Sequence, residues 1–168
     1  MNISLRLEVK KSDAIDIIRW LENKNITQYL NEDINSIYSL NRIIESGQSD
    51  LLTYYLNQDG RFFLIDEKNL GCIGFLNLFT IHHRHTYEIV IAIGEEKNWG
   101  KQYGKEAIKM IMRETFLTWR IERLVAKVKK KNERSVNMFE HLHFYKIKET
   151  ENYFYYSINS IEYLKSLK

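Results

Sequence analysis

The chain has 168 residues, a formal net charge of +3, 44% hydrophobic residues and 28% charged ones. That suits one domain over 1–168 with one core, and it excludes a disordered polymer. A single cysteine, Cys72, excludes an internal disulfide and any multi-cysteine metal site.

No apolar run approaches the length of a membrane span, so no membrane partner is expected. The opening MNISLRLEVKK alternates like a strand. It lacks the apolar core and small-residue cleavage site of a signal peptide, so a cytoplasmic location is expected. Proline is absent while Asn, Ile, Lys and Tyr are abundant, the composition expected of an AT-rich bacterial genome. Charge is unevenly spread. Residues 97–134 hold 12 Lys and Arg against 4 Asp and Glu, a local net of +8. Such a stretch suits a polyphosphate ligand, nucleic acid or a set of solvated faces.

Residues 4–9 alternate as a first strand. Ser12 is placed to cap a helix whose Ala14, Ile17, Ile18 and Leu21 share one face. Residues 22–25 form a polar break. Residues 31–46 read as a further helix with Ile34, Ile37, Leu40 and Ile44 inward, ended by Gly47. Residues 51–56 stay open between helix and strand. A turn over 57–60 precedes a strand over 61–65. A second turn over 66–69 leads into a long strand, 70–81, whose Gly71 and Gly74 allow a bulge or a close backbone approach. His82, His83 and His85 sit in the next turn. Imidazole is a common metal ligand, but no carboxylate or cysteine stands at a recognised ligand spacing, so no metal is expected.

Residues 86–93 form a strand, and its second half, 89–93, is apolar at every position, so both faces there are buried. A polar, glycine-bearing loop spans 94–104. Residues 103–116 read as an amphipathic helix with Ala107, Ile108, Ile111 and Met112 inward, and Lys105, Lys109 and Arg113 outward. A strand over 123–129 has Leu124, Ala126 and Val128 on one side. Asn132 starts a short helix with Val136, Phe139 and Leu142 inward. Residues 145–149 and 153–158 form a hairpin, and 161–167 a helical turn. Strands outnumber helices and mix hairpins with crossovers. That points to an α/β (α+β) fold, a mixed sheet with helices on its faces.

The informative segment is IVIAIGEEKNWGKQYGKEAIKMI. A buried strand runs into a glycine loop that opens a helix. The first turn of a helix leaves N–H groups unpaired and carries partial positive charge. Gly100 and Gly104 let a phosphate approach those groups, and Lys101 and Lys105 add full charges. No Gly-Lys-Ser/Thr follows at Walker spacing. The G-x-G-x-x-G of a dinucleotide fold is missing too.

At Trp99-Gly100-Lys101-Gln102-Tyr103-Gly104 the chain resembles the GNAT superfamily of acyl-CoA-dependent N-acyltransferases, whose hallmark is Q/R-x-x-G-x-G/A between the fourth strand and third helix. Trp99-Gly100-Lys101, extended by Glu106 and Ala107, is similar to the form in the branch that acetylates ribosomal-protein N-termini, polyamines and antibiotics. A second match starts at Asn132 and Ser135 and runs on to Phe139, Leu142 and Phe144. It resembles the family's N-x-x-S-x-x-x-Y-E-K-L-G-F. The order of elements also resembles the family's, over essentially the whole chain.

The resemblance implies a central mixed, mostly antiparallel sheet flanked by helices. It also implies transfer of the acetyl group of acetyl-CoA to a primary amine by direct attack in a ternary complex. Glu88 matches the position of a frequent family base. It shares a strand face with Val90 and Ala92, where partial burial raises a carboxyl pKa. Backbone groups of Ile91, Ala92 and Ile93 are implied to hold the pantetheine arm and polarise the thioester. The loop residues Trp99, Gly100, Lys101, Gln102, Tyr103, Gly104 and Lys105 are implied to cradle the phosphates, with Asn132 and Phe139 along the arm.

Two positions depart from the pattern. Gln102 replaces the first motif glycine, where a side chain is tolerable if its φ stays negative. Phe139 replaces a tyrosine that donates a proton to the leaving thiolate in many relatives, so catalysis is expected to be weakened, not lost. These departures leave a non-catalytic acyl-CoA-binding or regulatory protein as the second reading. The expected acceptor is a small-molecule amine or peptide N-terminus, bound near Tyr29, Glu32, Asp33, Tyr38, Tyr153 and Tyr155. The resemblance allows a homodimer. The Lys127-to-Lys131 cluster alone does not support a nucleic-acid partner.

Overall fold

Alternating apolar positions lay the strands into one sheet whose two faces carry separate hydrophobic clusters. The structure is a computed structural model and describes residues 2–30, 35–81 and 85–168. The strands are β1 (Ile3–Arg6), β2 (Gly60–Glu67), β3 (Gly71–Thr80), β4 (Thr86–Ile93), β5 (Arg123–Lys129), β6 (Tyr145–Glu149) and β7 (Tyr153–Asn159). Among the described residues they form one seven-stranded sheet in the order β1-β2-β3-β4-β5-β7-β6. Every neighbouring pair is antiparallel except β4 and β5, which run parallel. The fold is thus the mixed, mostly antiparallel sheet flanked by helices that the sequence implies.

Helices cover both faces. On one lie α1 (Lys11–Glu22), α2 (Lys24–Thr27), α3 (Asn35–Glu45) and α4 (Leu51–Leu56). Their Ala14, Ile17, Trp20, Leu40 and Leu52 pack on Phe62, Leu64, Phe75 and Ala92 of the sheet. On the other lie α5 (Tyr103–Arg113), α6 (Glu133–His141) and α7 (Ser160–Ser166). There Ala107, Ile108, Ile111 and Phe139 meet Leu76, Leu78, Ile89, Leu124 and Ala126. The alternation along β3 is strict: Phe75 belongs to the first face, Leu76 and Leu78 to the second.

Several elements differ from the sequence expectation. The first strand ends at Arg6, not at residue 9. Arg6 there ion-pairs with Asp13 at 2.9 Å and Asp66 at 2.7 Å, tying β1, α1 and β2 together. Ser12 is not the cap of α1. Lys10 opens the helix, and its N–H donates to the Asp13 carboxylate at 2.8 Å. The short helix α2 begins within the polar break at 22–25 and α4 fills the open segment 51–56, so among the described residues strands do not outnumber helices. The expected helix over 31–46 appears as α3, its residues 31–34 lying outside the described residues.

The helix expected over 103–116 stops at Arg113, and a wider π-type turn, Glu114–Thr118, follows. The buried Thr115 hydroxyl donates back to the carbonyl of Ile111 at 2.7 Å. A hydroxyl competing for a helix carbonyl loosens the ladder. At Gly71 and Gly74 the expectation holds, because the β2–β3 register shifts between Ile65 and Asp66, which leaves Ile73 as the extra residue of a bulge. His82 and His83 lie outside the described residues. His85 is a turn residue whose carbonyl accepts from Glu122 and Arg123 N–H at 2.9 and 3.2 Å.

Beyond β4, the backbone at Gly94 runs against the indole of Trp20, which is 1% exposed. A Cβ at Gly94 would lie 2.0 Å from Trp20 Cε2. Gly94→Ala is therefore expected to cost about 3 kcal/mol and to lower Tm by roughly 6–12 °C in a thermal melt. An unchanged Tm would show that this contact does not fix the end of β4.

Candidate functional site

The site starts from a break in strand pairing. Parallel pairing joins Thr86, Tyr87 and Glu88 of β4 to Arg123, Leu124 and Val125 of β5, and it stops there. The apolar half of β4, Ile89 to Ile93, parts from β5 while staying paired with β3. A cleft of about 450 Å³ opens between the two strands, within the size range of small-molecule sites. Ile91, Ala92 and Ile93 line one wall, and Lys127 and Val128 of β5 the other. A strand that parts from its neighbour presents backbone N–H and C=O groups that the sheet no longer occupies. An extended ligand with amide groups satisfies that need.

The loop after β4 is bolted in place. Trp99 Nε1 donates to the Ile93 carbonyl at 2.8 Å. Buried Asn98 accepts from Lys101 Nζ at 3.4 Å. The backbone then turns through two left-handed residues, Gly100 at φ +74° and Gln102 at φ +66°. Gln102 therefore does not meet the condition of a negative φ under which a side chain there is unstrained. The turn brings the start of α5 to the cleft, and that geometry favours glycine. Glu106 is the first residue whose N–H bonds back into the helix, to the Gln102 carbonyl at 3.0 Å. The N–H groups of Tyr103, Gly104 and Lys105 open α5 without an intrahelical acceptor, which makes an anion site. Gly100, Gln102, Tyr103, Gly104 and Lys105 all line the cleft. Lys101 does not.

Helix α6 closes the far side. The Asn132 Oδ1 accepts from Ser135 N–H at 3.2 Å, so its oxygen is committed to the helix cap and its amide NH₂ is the group left for a ligand. Arg134 reaches across to Trp99, its guanidinium 3.9 Å from the ring centre. Sequence reasoning missed Arg134, Asn137, Met138 and His141, which line the cleft with Asn132 and Phe139. They project from the same turns of α6, so helical spacing from Asn132 was the available signal. Phe139 sits at the border of cleft and core. It is 3% exposed and packs edge-on against Phe144, with ring centres 5.1 Å apart.

Glu88 stands at the last paired position of β4, just outside the cleft lining. It is partly buried. Burial pushes its carboxyl pKa upward, and the nearby Lys127 charge pulls the other way. Lys127 also lies over the Tyr153 ring at 4.3 Å. Of the residues expected near an acceptor, Tyr29 lines the cleft and Tyr155 pairs with Lys127 on the neighbouring strand. Tyr38 is exposed, and Glu32 and Asp33 lie outside the described residues. No cluster of three His, Cys, Asp or Glu that could hold a metal occurs among the described residues. None of their helices is long and apolar enough to cross a membrane.

Comparison with known proteins decides the family. The model of the acetyltransferase (GNAT) domain matches residues 4–145. The chain belongs to the GNAT acetyltransferase family. An N-acetyltransferase 9-like protein of Nematostella vectensis is 28% identical over 123 residues, and the match covers 66% of this chain and 62% of that protein. The chain therefore spans less than two thirds of that curated relative. Two solved structures show the GNAT member's fold. Spermidine N-acetyltransferase of Vibrio cholerae, in complex with CoA and spermine, has a TM-score of 0.78 at 19% identity, covering 97% of this chain and 98% of that one. A domain from Methanocaldococcus jannaschii has a TM-score of 0.73 at 22% identity, covering 94% and 98%.

The left-handed Gln102 offers a direct check on the loop. A side chain in that region costs about 1–2 kcal/mol. Gln102→Gly is expected to stabilise the protein by about 1 kcal/mol and to raise Tm by roughly 2–4 °C. A lowered Tm in calorimetry would mean that the loop does not hold Gln102 in this conformation.

Proposed function

We propose that the chain transfers the acetyl group of acetyl-CoA to a primary amine by direct attack in a ternary complex. The parting of β4 from β5, with the start of α5 at the mouth of the cleft, carries this reading. Acetyl-CoA supplies an activated thioester: the amine nitrogen bonds to the acetyl carbon, the C–S bond breaks, and CoA leaves as the thiolate, which takes its proton from water. The backbone groups of Ile91, Ala92 and Ile93 hold the pantetheine arm and polarise the thioester carbonyl. The N–H groups at the start of α5, with Lys105 and Arg134, meet the phosphates, and Lys101, bonded to Asn98, adds charge to the loop from outside the cleft lining. Trp99 and Gly100 shape that loop, and Asn132 and Phe139 border the arm.

Glu88 takes the proton from the attacking amine, directly or through one water. Phe139 has no proton to give. A thiol pKa near 8.5 makes the thiolate a fair leaving group without help, so the loss costs ~10²-fold or less. We read residues 1–168 as one domain of a cytoplasmic, bacterial enzyme. The acceptor is a small amine, such as a polyamine or a peptide N-terminus, and the fold neighbour solved with spermine supports the amine class. The Vibrio cholerae spermidine enzyme is dodecameric. Here we propose self-association, at least to a homodimer. Neither a membrane nor nucleic acid is part of this reading.

Thiol release from acetyl-CoA across a panel of polyamines and amino-terminal peptides tests the proposal. Turnover with at least one amine is expected. Acetyl-CoA binding without turnover on any amine would favour the non-catalytic alternative. The raised pKa of Glu88 sets the pH dependence. A base must be unprotonated, so kcat/KM is expected to rise as pH climbs above the ordinary carboxylate range. Glu88→Gln should lower the rate more at neutral than at high pH, where free amine no longer needs a base. Equal loss at both would argue against a base. Stability runs the other way. The folded state binds the Glu88 proton more tightly than the unfolded state, so its contribution is greatest at low pH and declines as pH rises through the raised pKa. Glu88→Gln should thus raise Tm at pH 7.

A further inference from the structure

Among the described residues, two buried side-chain atoms have no hydrogen-bond partner: Trp20 Nε1 and Asn77 Oδ1. Trp20 faces the Gly94 backbone, and packing accounts for its place. Asn77 has no such account. It interrupts the apolar run of β3, is 8% exposed, and stands opposite Phe62 of β2 and Val90 of β4. Because β3 alternates, Asn77 points to the face of Phe75, away from Leu76 and Leu78. That is the face shared by Glu88, Val90 and Ala92. A buried carbonyl oxygen that gives up water without a new donor is costly, and a leucine there would complete the core. Such an oxygen persists where a ligand supplies the donor.

Val90 lines the cleft, and Glu88 is the next residue of β4 on the same face. Asn77 and Glu88 are diagonal neighbours on adjacent strands, about 7 Å apart by ordinary sheet geometry. We propose that Asn77 Oδ1 is a positioning residue for the acceptor amine, accepting one of its N–H bonds while Glu88 faces the other. This rests on the acetyltransferase reading above. A primary amine has two N–H bonds, one carbon substituent and one lone pair. Fixing both N–H bonds from the β3 and β4 side leaves the lone pair directed along the strand face toward Ile91 to Ile93, where the thioester is to be held. The oxygen also selects. A primary amine offers the second donor, and a tertiary amine or a hydroxyl does not.

The test uses the full-length chain and two variants, Asn77→Leu and Asn77→Asp. Acetyl-CoA affinity is read by calorimetry, stability by Tm, and acceptor KM and kcat with whichever of spermidine or an alanyl peptide is the better substrate. Asn77→Leu removes the orphaned oxygen. It is expected to raise Tm by roughly 2–4 °C, leave acetyl-CoA affinity unchanged, and raise acceptor KM about tenfold. Asn77→Asp keeps an acceptor oxygen in place, and acceptor KM should stay within about threefold of wild type. A merely structural asparagine predicts the opposite pattern, with Tm lowered by Leu and acceptor KM unmoved. That pattern overturns the proposal, as does an equal KM defect in both variants. A wild-type chain that binds acetyl-CoA but acetylates no amine of the panel above sinks the acetyltransferase reading itself, a failure seen before any variant is made.

Discussion

Everything at this site depends on one interruption of sheet pairing, where β4 and β5 part after Glu88 and Val125. Parallel neighbours separated by a crossover normally continue to the ends of their strands. Here the strand that leaves the pairing is apolar on both faces, so its side chains stay in the two cores while its β5-facing backbone edge opens to the cleft. A sheet edge in the middle of a protein is costly unless something pairs with it. In the reading proposed above, an extended, amide-bearing ligand arm takes the place of the missing strand segment.

The rest of the site is arranged around that edge. Trp99 fixes the loop to the last β4 carbonyl, and Arg134 stacks on the same indole from α6, so one ring links both ends of the cleft. The loop reverses through Gly100 and Gln102 to aim the start of α5 inward. Strain at Gln102 is offset by the packing of α5, whose Ala107, Ile108 and Ile111 are fully buried. Local strain that surrounding structure overrides is the usual companion of a binding loop. At the other end of the cleft, Glu88 sits where pairing ends, shielded from water yet close to Lys127. The single break thus sets an open strand edge between the unpaired N–H groups at the start of α5 and a carboxylate whose pKa burial raises.

Much of this was legible in the residues. The apolar run 89–93 and the alternation at 123–129 located both strands of the cleft, and Asn132 marked the start of α6. The glycine loop and the start of its helix are legible too, as the unit that closes one end of the cleft. What stayed hidden is set by tertiary geometry. Periodicity marks where strands run, not where their pairing stops, so the cleft itself had no sequence signature. The sign of φ at Gln102 follows from the turn that Gly100 begins, not from the residue type. Lys127 reaches Glu88 only through the parallel register. The cap of α1, Lys10, lies two residues before the expected Ser12, because Asp13 serves both Lys10 N–H and Arg6. Asn77 has no sequence signature either, because only the packed sheet leaves its oxygen without a donor.

The central claim is that the open β4 edge and the start of α5 together hold acetyl-CoA. Amide hydrogen exchange with and without acetyl-CoA tests it most directly, since it reads those backbone groups themselves. Protection is expected at residues 91–93, 100–105 and 132–139, with β1 and β6 unchanged. Binding that leaves exchange at 91–93 and 100–105 unaltered, or that protects a different edge of the sheet, would contradict the account.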